Sequence, residues 1–337
     1  FAPIPDSSTQ VSAYVEEALR RGVDVFIVKD HFPLVVGKLR TMVRDRQLSW
    51  EELDRKVKKV LLAKAWSQAP LQHRFAQHHE LPQRPSQALS LANRDLNRLA
   101  ITLVNNDHER IPLQIQAHRR PMLLTVGKAL PEFEALLQLY APVEFAYAGR
   151  EAYRPLQPLN VAQLAAHSPL IVALSQTPID GVADAAFLKS LKELEKRTEL
   201  VVVHFGDPQW LATIAGHTSL LQVYNDAPLN QQLAAQALYG GEAIEGRLPV
   251  SVSQVLAYGQ GMQTSRQRLN YTYPEAAGMI SDSLLRIDEI ALEGIAQAAM
   301  PGCQILVVKS GQVVYHKAFG HHSYVQRSPV KLTDLYD

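Results

Sequence analysis

Apolar and polar positions along the first 66 residues follow the periods of helices and of one buried strand. Residues 11–22 carry apolar side chains at helical spacing and end in Gly22, a residue that commonly terminates helices. Residues 23–28 form a short, nearly continuous apolar run, which is typical of a buried parallel strand. Because a single strand is not a sheet, its partner strands are expected to precede Phe1.

Two further helices are predicted in this segment. One covers residues 34–45, and the other opens at Ser49, where Glu52 follows the cap residue by three positions as in a capping box. The second helix carries one apolar stripe, formed by Leu53, Val57, Val60 and Leu61. The charged run at residues 54–59 is predicted to be a solvated helix face. The element order is therefore α-β-α-α, a piece of a parallel α/β structure.

Residues 87–255 repeat a strand–helix rhythm. Five apolar runs predict strands, at residues 100–106, 121–127, 169–175, 200–206 and 220–226. Helices are predicted between several of them, at residues 131–140 and 183–196. A last helix follows Asp226, with Pro228 in its first turn and Gly240-Gly241 as its stop. This alternation predicts a mostly parallel sheet with helices on both faces.

Two stretches without sustained periodicity separate these segments from their neighbours. Residues 67–86, rich in Gln, His and Pro, are predicted to be a linker, and residues 256–280 a turn-rich connector. Ser281 or Asp282 then caps a predicted amphipathic helix whose apolar side is formed by Leu284, Ile287, Ala291, Ile295 and Ala298. Apolar runs on either side of Ser310-Gly311 predict a two-residue β-hairpin.

Composition narrows the classes of function. The net charge of +1 gives no reason to expect a nucleic acid partner, and no apolar run is long enough to span a membrane. No glycine-rich phosphate loop follows any predicted strand, so no nucleotide is expected and no cofactor is predicted. Cys303, the one cysteine, makes no intramolecular disulfide and is interpreted as a buried, inert thiol rather than a nucleophile.

Histidines give two further candidate groups. His73, His78, His79 and Glu80 lie in the linker, but their spacing does not place them on one helix face, so no metal site is predicted. His316, His321 and His322 lie on or beside the predicted hairpin. They are interpreted as surface histidines, with a catalytic role as the alternative.

Several motifs resemble those of family 3 glycoside hydrolases. Residues 41–64 look like the tail of that family's (β/α)8 barrel. The sequences FGDP at Phe205–Pro208, YNDAP at Tyr224–Pro228 and GRLP at Gly246–Pro249 look like markers of its α/β sandwich domain. The resemblance implies an α/β fold: residues 1–66 as the end of the barrel, and residues 87–255 as the mostly parallel sandwich domain.

The last segment, residues 281–337, resembles the start of a serine beta-lactamase-like α+β domain. Pro301-Gly302 and Ser310-Gly311 fit that family's opening helix and hairpin. Its nucleophile belongs to a Ser-x-x-Lys motif, which the resemblance places downstream of Asp337. A complete Ser-x-x-Lys motif there would indicate a second active site, and a defective one a binding module.

The glycosidase resemblance implies a retaining reaction with a carboxylate nucleophile on a barrel strand. That residue is expected upstream of Phe1, so no catalytic residue is assigned within the chain, and the 337-residue chain by itself is expected to be inactive. Lys29, Asp30 and His31 follow the last barrel strand and are predicted to bind substrate, or to start the loop with Asp30 as a helix cap. Candidate acid/base residues from the sandwich domain are Glu109, Glu151 and Glu242.

Together these resemblances imply a glycosidase for terminal β-linked N-acetylhexosamine of glycans or cell-wall fragments. Its partner is a carbohydrate, and a periplasmic or secreted bacterial location is favoured over the cytoplasm. Two alternatives stay open: a beta-lactamase, peptidase or esterase as the main activity, and a carbohydrate-binding or scaffold protein without catalysis. The sugar, the linkage and the oligomeric state stay open as well.

Overall fold

The structure is a computed structural model that describes residues 8–28, 32–68, 87–116, 119–148, 159–175, 185–214, 216–217, 219–325 and 328–336. The chain divides into two compact units, a first unit over residues 1–84 and a second unit over residues 85–337. The second unit contains an α/β sandwich with a mixed sheet, followed by a helix and a small three-stranded sheet.

The first unit is helical in its described part. Its helices are α1 (Ser8–Arg20), α2 (Phe32–Arg44) and α3 (Trp50–Gln68). The chain turns after α1 at Gly22, whose φ of 86° favours glycine. A small core is formed by Val11, Val15, Leu19, Val35, Met42 and Leu48, and Leu53 of α3 packs against it. The predicted helices of this segment are confirmed.

The strand predicted at residues 23–28 is wrong for the described chain. This segment forms no strand, because no described residue of the first unit pairs with it in a strand ladder. Its side chains still alternate: Phe26 and Val28 pack against the small core, whereas Val25 and Ile27 are 53% and 72% exposed. This apolar run therefore buries one of its faces against the small core of the helices, without the hydrogen bonds of a strand ladder.

Helix α3 confirms one prediction and corrects two. The Glu52 N–H donates to Ser49 Oγ at 3.1 Å, as the predicted cap requires. The predicted apolar stripe is not a buried face, since Val57 and Leu61 are 47% and 58% exposed. Nor is the charged run wholly solvated: Lys56 is buried and donates through Nζ to the Val23 carbonyl at 3.0 Å.

The sandwich of the second unit is built on six strands. They are β1 (Thr102–Asn106), β2 (Met122–Gly127), β3 (Glu144–Ala148), β4 (Leu170–Ser175), β5 (Leu200–Phe205) and β6 (Ser219–Val223). The strand order is β1-β6-β5-β4-β2-β3, with β1 antiparallel to β6 and every other pair parallel. The five predicted strands and the mostly parallel sheet are confirmed; β3, at the edge of the sheet, was not predicted.

Helices cover both faces of this sheet. They are α4 (Gln87–Ala100), α5 (Pro131–Tyr140), α6 (Val161–Leu164), α7 (Ala185–Glu195), α8 (Leu211–Ile214) and α9 (Pro228–Tyr239). Side chains of α5 and α9 form one core with one face, and those of α6, α7 and α8 form a second core on the other. The predicted helices at residues 131–140 and after Asp226 are confirmed, and Gly240 ends α9 with a φ of 76°.

The last part of the chain folds as a helix and a hairpin. These are α10 (Ser281–Ala296), β8 (Gly302–Lys309) and β9 (Gln312–Gly320), with β7 (Asn270–Tyr271) pairing alongside β9. Ser310 and Gly311 both have positive φ, 52° and 75°, as a type I′ turn requires. The predicted helix and hairpin are confirmed.

Two details of α10 differ from prediction. Its cap residue is Ile280, which makes no side-chain cap bond; instead the Ser281 N–H donates to Glu275 Oε1 at 3.0 Å. Ala298 lies past the end of the helix and is exposed, so it is not part of the apolar side. No helix in the described part of the chain is both long enough and apolar enough to cross a membrane.

Candidate functional site

The carboxyl ends of the parallel strands form one edge of the sandwich sheet. The chain leaves β2 toward β3 on one side and then returns to β4 on the other, so its direction of travel reverses at β2. Such reversal points form crevices at the carboxyl edge, where ligands of α/β proteins bind. The polar residues that follow the strands at this edge include Lys128, Asp207 and Asp226.

The FGDP sequence forms the exit from β5. His204, the residue before it, is buried, and its Nδ1 lies 2.7 Å from Gln222 Oε1 on β6. The Gln222 amide in turn donates to the Gly206 carbonyl at 2.7 Å. Burial lowers the pKa of the His204 imidazole, and the Gln222 hydrogen bond opposes this. Asp207 accepts from the Gln209 N–H at 2.9 Å and so caps a short 3₁₀ turn.

The YNDAP sequence forms the exit from β6 and the start of α9. Asn225 Oδ1 accepts from the Ala227 N–H at 3.0 Å and from Asn230 Nδ2 at 2.6 Å. These bonds form an Asx turn that leads the chain into the helix at Pro228. The Tyr224 hydroxyl lies 2.9 Å from Thr102 Oγ1, which ties this exit to β1. The motif is therefore used for local structure.

Side chains from α9 connect the two helices that open at this edge. Gln231 Oε1 accepts from the N–H groups of Glu132 and Phe133, at 3.1 and 3.3 Å, and so caps α5 from the neighbouring helix. Lys128 Nζ lies 3.5 Å from Asp226 Oδ2 across the gap. The edge can thus offer a lysine and carboxylates to the hydroxyl groups of a ligand, while two of its helix N–H groups are already occupied.

The GRLP sequence packs beside the start of β1. A Cβ atom at Gly246 would lie 2.3 Å from the Ile101 carbonyl oxygen, so no side chain fits there. Leu248 is buried in the core of the α7 face, and its N–H donates to the Gln260 carbonyl at 2.8 Å. The glycine and the leucine of this motif are thereby explained by packing.

The predicted substrate-binding residues Lys29, Asp30 and His31 lie outside the described residues, as do the linker residues His73, His78, His79 and Glu80. Their roles stay predictions. Across the described residues, no group of three or more metal-ligating side chains comes together.

The three glutamates that are candidate acid/base residues occupy different parts of the chain. Glu109 is exposed after β1, which runs antiparallel to its neighbour, so it lies at the amino edge of the parallel strands. Glu151 lies outside the described residues. Glu242 is buried and accepts from Arg94 Nη2 at 2.5 Å and from Asn270 Nδ2 at 3.1 Å. The geometry therefore gives neither described glutamate a position at the carboxyl edge.

The residues of the hairpin fit inert roles. Cys303 is half-buried, and burial raises the pKa of its thiol, which disfavours the reactive thiolate. His316 is half-buried rather than a surface residue, and its ring stacks on Tyr271 with centroids 6.1 Å apart. Burial lowers the pKa of His316. His322 Nε2 lies 2.9 Å from Asp334 Oδ2 at an exposed position.

Sequence reasoning missed the cluster of Arg94, Glu242 and Asn270. Arg94 is buried in α4, although arginine is a residue that patterns assign to the surface. The one signal in the sequence is its spacing from Leu91, which places both side chains on one face of the helix.

No family model matches this chain, and no curated protein matches it either. Among solved structures, a fungal multi-domain family 3 β-N-acetylglucosaminidase overlaps 73% of this chain and 29% of its own, with 17% identity and a TM-score of 0.47. A family 3 β-N-acetylglucosaminidase from Paenibacillus sp. str. FPU-7 overlaps 73% of this chain and 47% of its own, with 16% identity and a TM-score of 0.45.

A β-glucosidase from Listeria innocua, in complex with isofagomine, is similar over 74% of this chain and 38% of its own. Its identity is 17% and its TM-score 0.42. The chain thus spans less than half the length of each of these three structures.

Proposed function

We propose that this chain is part of a family 3 glycoside hydrolase that cleaves terminal β-linked N-acetylhexosamine with retention of configuration. The observation that carries the proposal is the sandwich of residues 87–255 with its three motifs. FGDP and YNDAP shape two exits at the carboxyl edge, and GRLP packs where Gly246 leaves no room for a side chain. The motifs thus sit at positions where their residue types are needed.

In this proposal the chain supplies sugar-binding groups rather than the nucleophile. The barrel resemblance assigns Lys29, Asp30 and His31 to the binding of sugar hydroxyl groups or to the positioning of a catalytic group. No aspartate of this sequence is assigned as the nucleophile of the retaining reaction. The sugar is proposed from the expected combination of domains: the resemblance of residues 281–337 to the start of a beta-lactamase-like domain, next to the sandwich, implies a bacterial hexosaminidase-type enzyme.

A panel of aryl glycosides tests the proposal. The complete protein that contains residues 1–337 is assayed on 4-nitrophenyl β-glycosides of N-acetylglucosamine, N-acetylgalactosamine and glucose. We expect a higher kcat/KM for the N-acetylhexosaminides than for the glucoside. A preference for glucose would refute the assigned sugar, and no cleavage of any β-glycoside would refute the proposed function. The 337-residue chain alone is expected to give no turnover.

Substitutions at residues 30 and 31 test the role assigned to this chain. Losing a hydrogen bond to a charged group costs about 1.5–3 kcal/mol, so Asp30→Ala and His31→Ala should each lower kcat/KM about 10- to 100-fold. Asp54→Ala, at an exposed position of α3, is the matched control and should leave the rate unchanged. Full activity of both variants would assign residues 29–31 a purely structural role.

A further inference from the structure

A polar cleft of about 520 Å³ lies within the second unit, away from the carboxyl edge of the sheet. One face of α4 forms a wall, and the turn after α9, the connector and the start of β9 form the rest. Its size is in the range of small-molecule sites, which are about 300–1,000 Å³. The residues that determine its chemistry are Arg94, Asp95, Arg98, Glu242, Arg266 and Asn270.

The floor of the cleft is a built polar cluster. Arg94, Glu242 and Asn270 are 5%, 6% and 4% exposed. Arg94 Nη2 donates to Glu242 Oε1 at 2.5 Å and to the Tyr271 carbonyl at 2.7 Å, while Asn270 Nδ2 donates to the same Oε1 at 3.1 Å. All of these bonds use one oxygen of Glu242 and one nitrogen of Arg94. Within the described chain, Glu242 Oε2 and Arg94 Nη1 have no hydrogen-bond partner.

The rim of the cleft also carries both hydrogen-bond donors and acceptors. Arg266 is exposed and donates through Nη1 to Asn270 Oδ1 at 3.1 Å, and Asp95 is exposed beside Arg94 on α4. Arg98 is already paired with Glu245, at 3.1 Å.

Charge in the lining is balanced. Three arginines, Arg94, Arg98 and Arg266, face three carboxylates, Asp95, Glu242 and Glu275. The net charge of these six groups is zero, so the cleft attracts neither phosphate nor a cation through its net field. Because the two buried charges pair with each other, a charged ligand would gain little from them. A neutral ligand can bond to their remaining atoms without breaking the pair.

We propose that this cleft binds a neutral sugar unit, with Glu242 and Arg94 at the floor and Asp95 and Arg266 at the rim. A sugar hydroxyl donates and accepts at once, so it can bridge a carboxylate oxygen and a guanidinium N–H. The site shares no residue with positions 29–31 and goes beyond the proposed glycosidase. Only the choice of N-acetylglucosamine as the first probe rests on the proposed function.

Titration calorimetry on the purified 337-residue chain tests the site. N-acetylglucosamine and glucose are the neutral probes, alanine is the zwitterion and inorganic phosphate the anion. We expect saturable binding of at least one sugar with a Kd of about 1 mM, as small ligands of this size allow. The rim variant Asp95→Asn/Arg266→Gln should weaken the Kd at least tenfold, because it removes one charged acceptor and one charged donor.

The matched control is Asp282→Asn/Arg286→Gln, which makes the same two changes at exposed positions of α10 outside the cleft. It should bind sugar as the unchanged chain does. Glu242→Gln keeps an acceptor for Arg94 and Asn270 and should also weaken binding about tenfold. Thermal melting shows whether Glu242→Gln folds. If it does not fold, the Asp95→Asn/Arg266→Gln variant decides the test.

Three results would overturn the proposal: no saturable binding of either sugar, binding of alanine or phosphate in place of sugar, or unchanged sugar binding by the Asp95→Asn/Arg266→Gln variant. Asp30→Ala should leave the affinity of the cleft unchanged. Loss of binding in that variant would place the sugar at residues 29–31 and refute this site. Aryl glycoside turnover does not depend on the cleft, so failure of the proposed function and failure of this site are separate results.

Discussion

His204 shows at the scale of one residue how the sandwich tolerates a polar side chain in its interior. Its imidazole is 4% exposed and bonds to Gln222, which bonds onward to the Gly206 carbonyl. A buried group of this kind is stable only while its hydrogen bonds are made and its charge is absent. Neutral imidazole meets both conditions, which gives the unfolding of this unit a dependence on pH.

The first prediction concerns that pH dependence. Burial lowers the pKa of His204 below its usual 6.5, so the unfolded chain binds a proton before the folded chain does. The stabilisation by neutral His204 should therefore be complete above about pH 6.5. Below that pH the free energy of unfolding should fall, by at most about 1.4 kcal/mol per pH unit for each such group. Urea unfolding between pH 5 and 8 measures this fall.

His217 contributes in the same direction, because burial lowers its pKa as well. His204→Asn should make the fall shallower without abolishing it. His108→Asn replaces an exposed histidine at the amino edge and serves as the control, with the slope of the unchanged chain expected. Equal slopes for His204→Asn and the unchanged chain would contradict the assignment.

Gly246 carries the second prediction. Its substitution by alanine would place Cβ 2.3 Å from the Ile101 oxygen and 2.6 Å from the Ala100 oxygen, both of them backbone atoms that cannot rotate away. We expect Gly246→Ala to lower the free energy of unfolding by about 3 kcal/mol or more. Gly216→Ala has only a lysine side-chain carbon nearby, at 3.9 Å, and should change stability by less than about 0.5 kcal/mol.

Equal melting temperatures for the two alanine variants would show that the backbone around GRLP yields at little cost. That outcome would remove the packing explanation of the motif.

At the scale of elements, the sequence predicts two kinds of element best. These are strands buried on both faces of the sheet and helices with one continuous apolar stripe. Strands β2, β4 and β5 are buried along their length, apart from the last residue of β2, and their apolar runs are unmistakable. Strand β3 mixes exposed and half-buried residues at the sheet edge, so its sequence shows no such run. Residues 23–28 have the apolar run of a strand, but no described residue of the first unit pairs with them, so the run alone does not make a strand.

The third prediction concerns the pair that joins α4 to the turn after α9. Arg94→Ala leaves the buried carboxylate of Glu242 without its cation, which costs about 3–5 kcal/mol of the free energy of unfolding. Arg98→Ala breaks the more exposed pair with Glu245, whose side chains are 25% and 49% exposed, and should cost at most about 1 kcal/mol. Chemical unfolding of both variants at pH 7 measures the difference.

Similar losses in the two arginine variants would contradict the structural weight assigned to the Arg94–Glu242 pair. Arg94→Lys is informative as well, since lysine keeps the charge but carries it on a shorter side chain with a compact, more strongly hydrated ammonium group. We expect it to lie between the unchanged chain and Arg94→Ala.

At the scale of the whole molecule, the sequence predicted the sandwich well and its polar cleft not at all. The parallel sheet follows from a rhythm that repeats along one stretch of chain. The cleft draws on α4, the turn at Glu242, the connector and β9, which are far apart in sequence and meet only after folding. The substrate-binding role of residues 29–31 follows from the resemblance to a glycosidase family and from no local pattern of the sequence.

The stereochemistry of cleavage tests the central claim most directly. The complete protein that contains residues 1–337 is mixed with 4-nitrophenyl N-acetyl-β-glucosaminide, and the anomeric protons of the released sugar are followed by NMR from the first minutes. We predict that the β anomer appears first and the α anomer later by mutarotation, because a retaining enzyme inverts the anomeric carbon twice. Release of the α anomer first, or no release of sugar, would contradict the account.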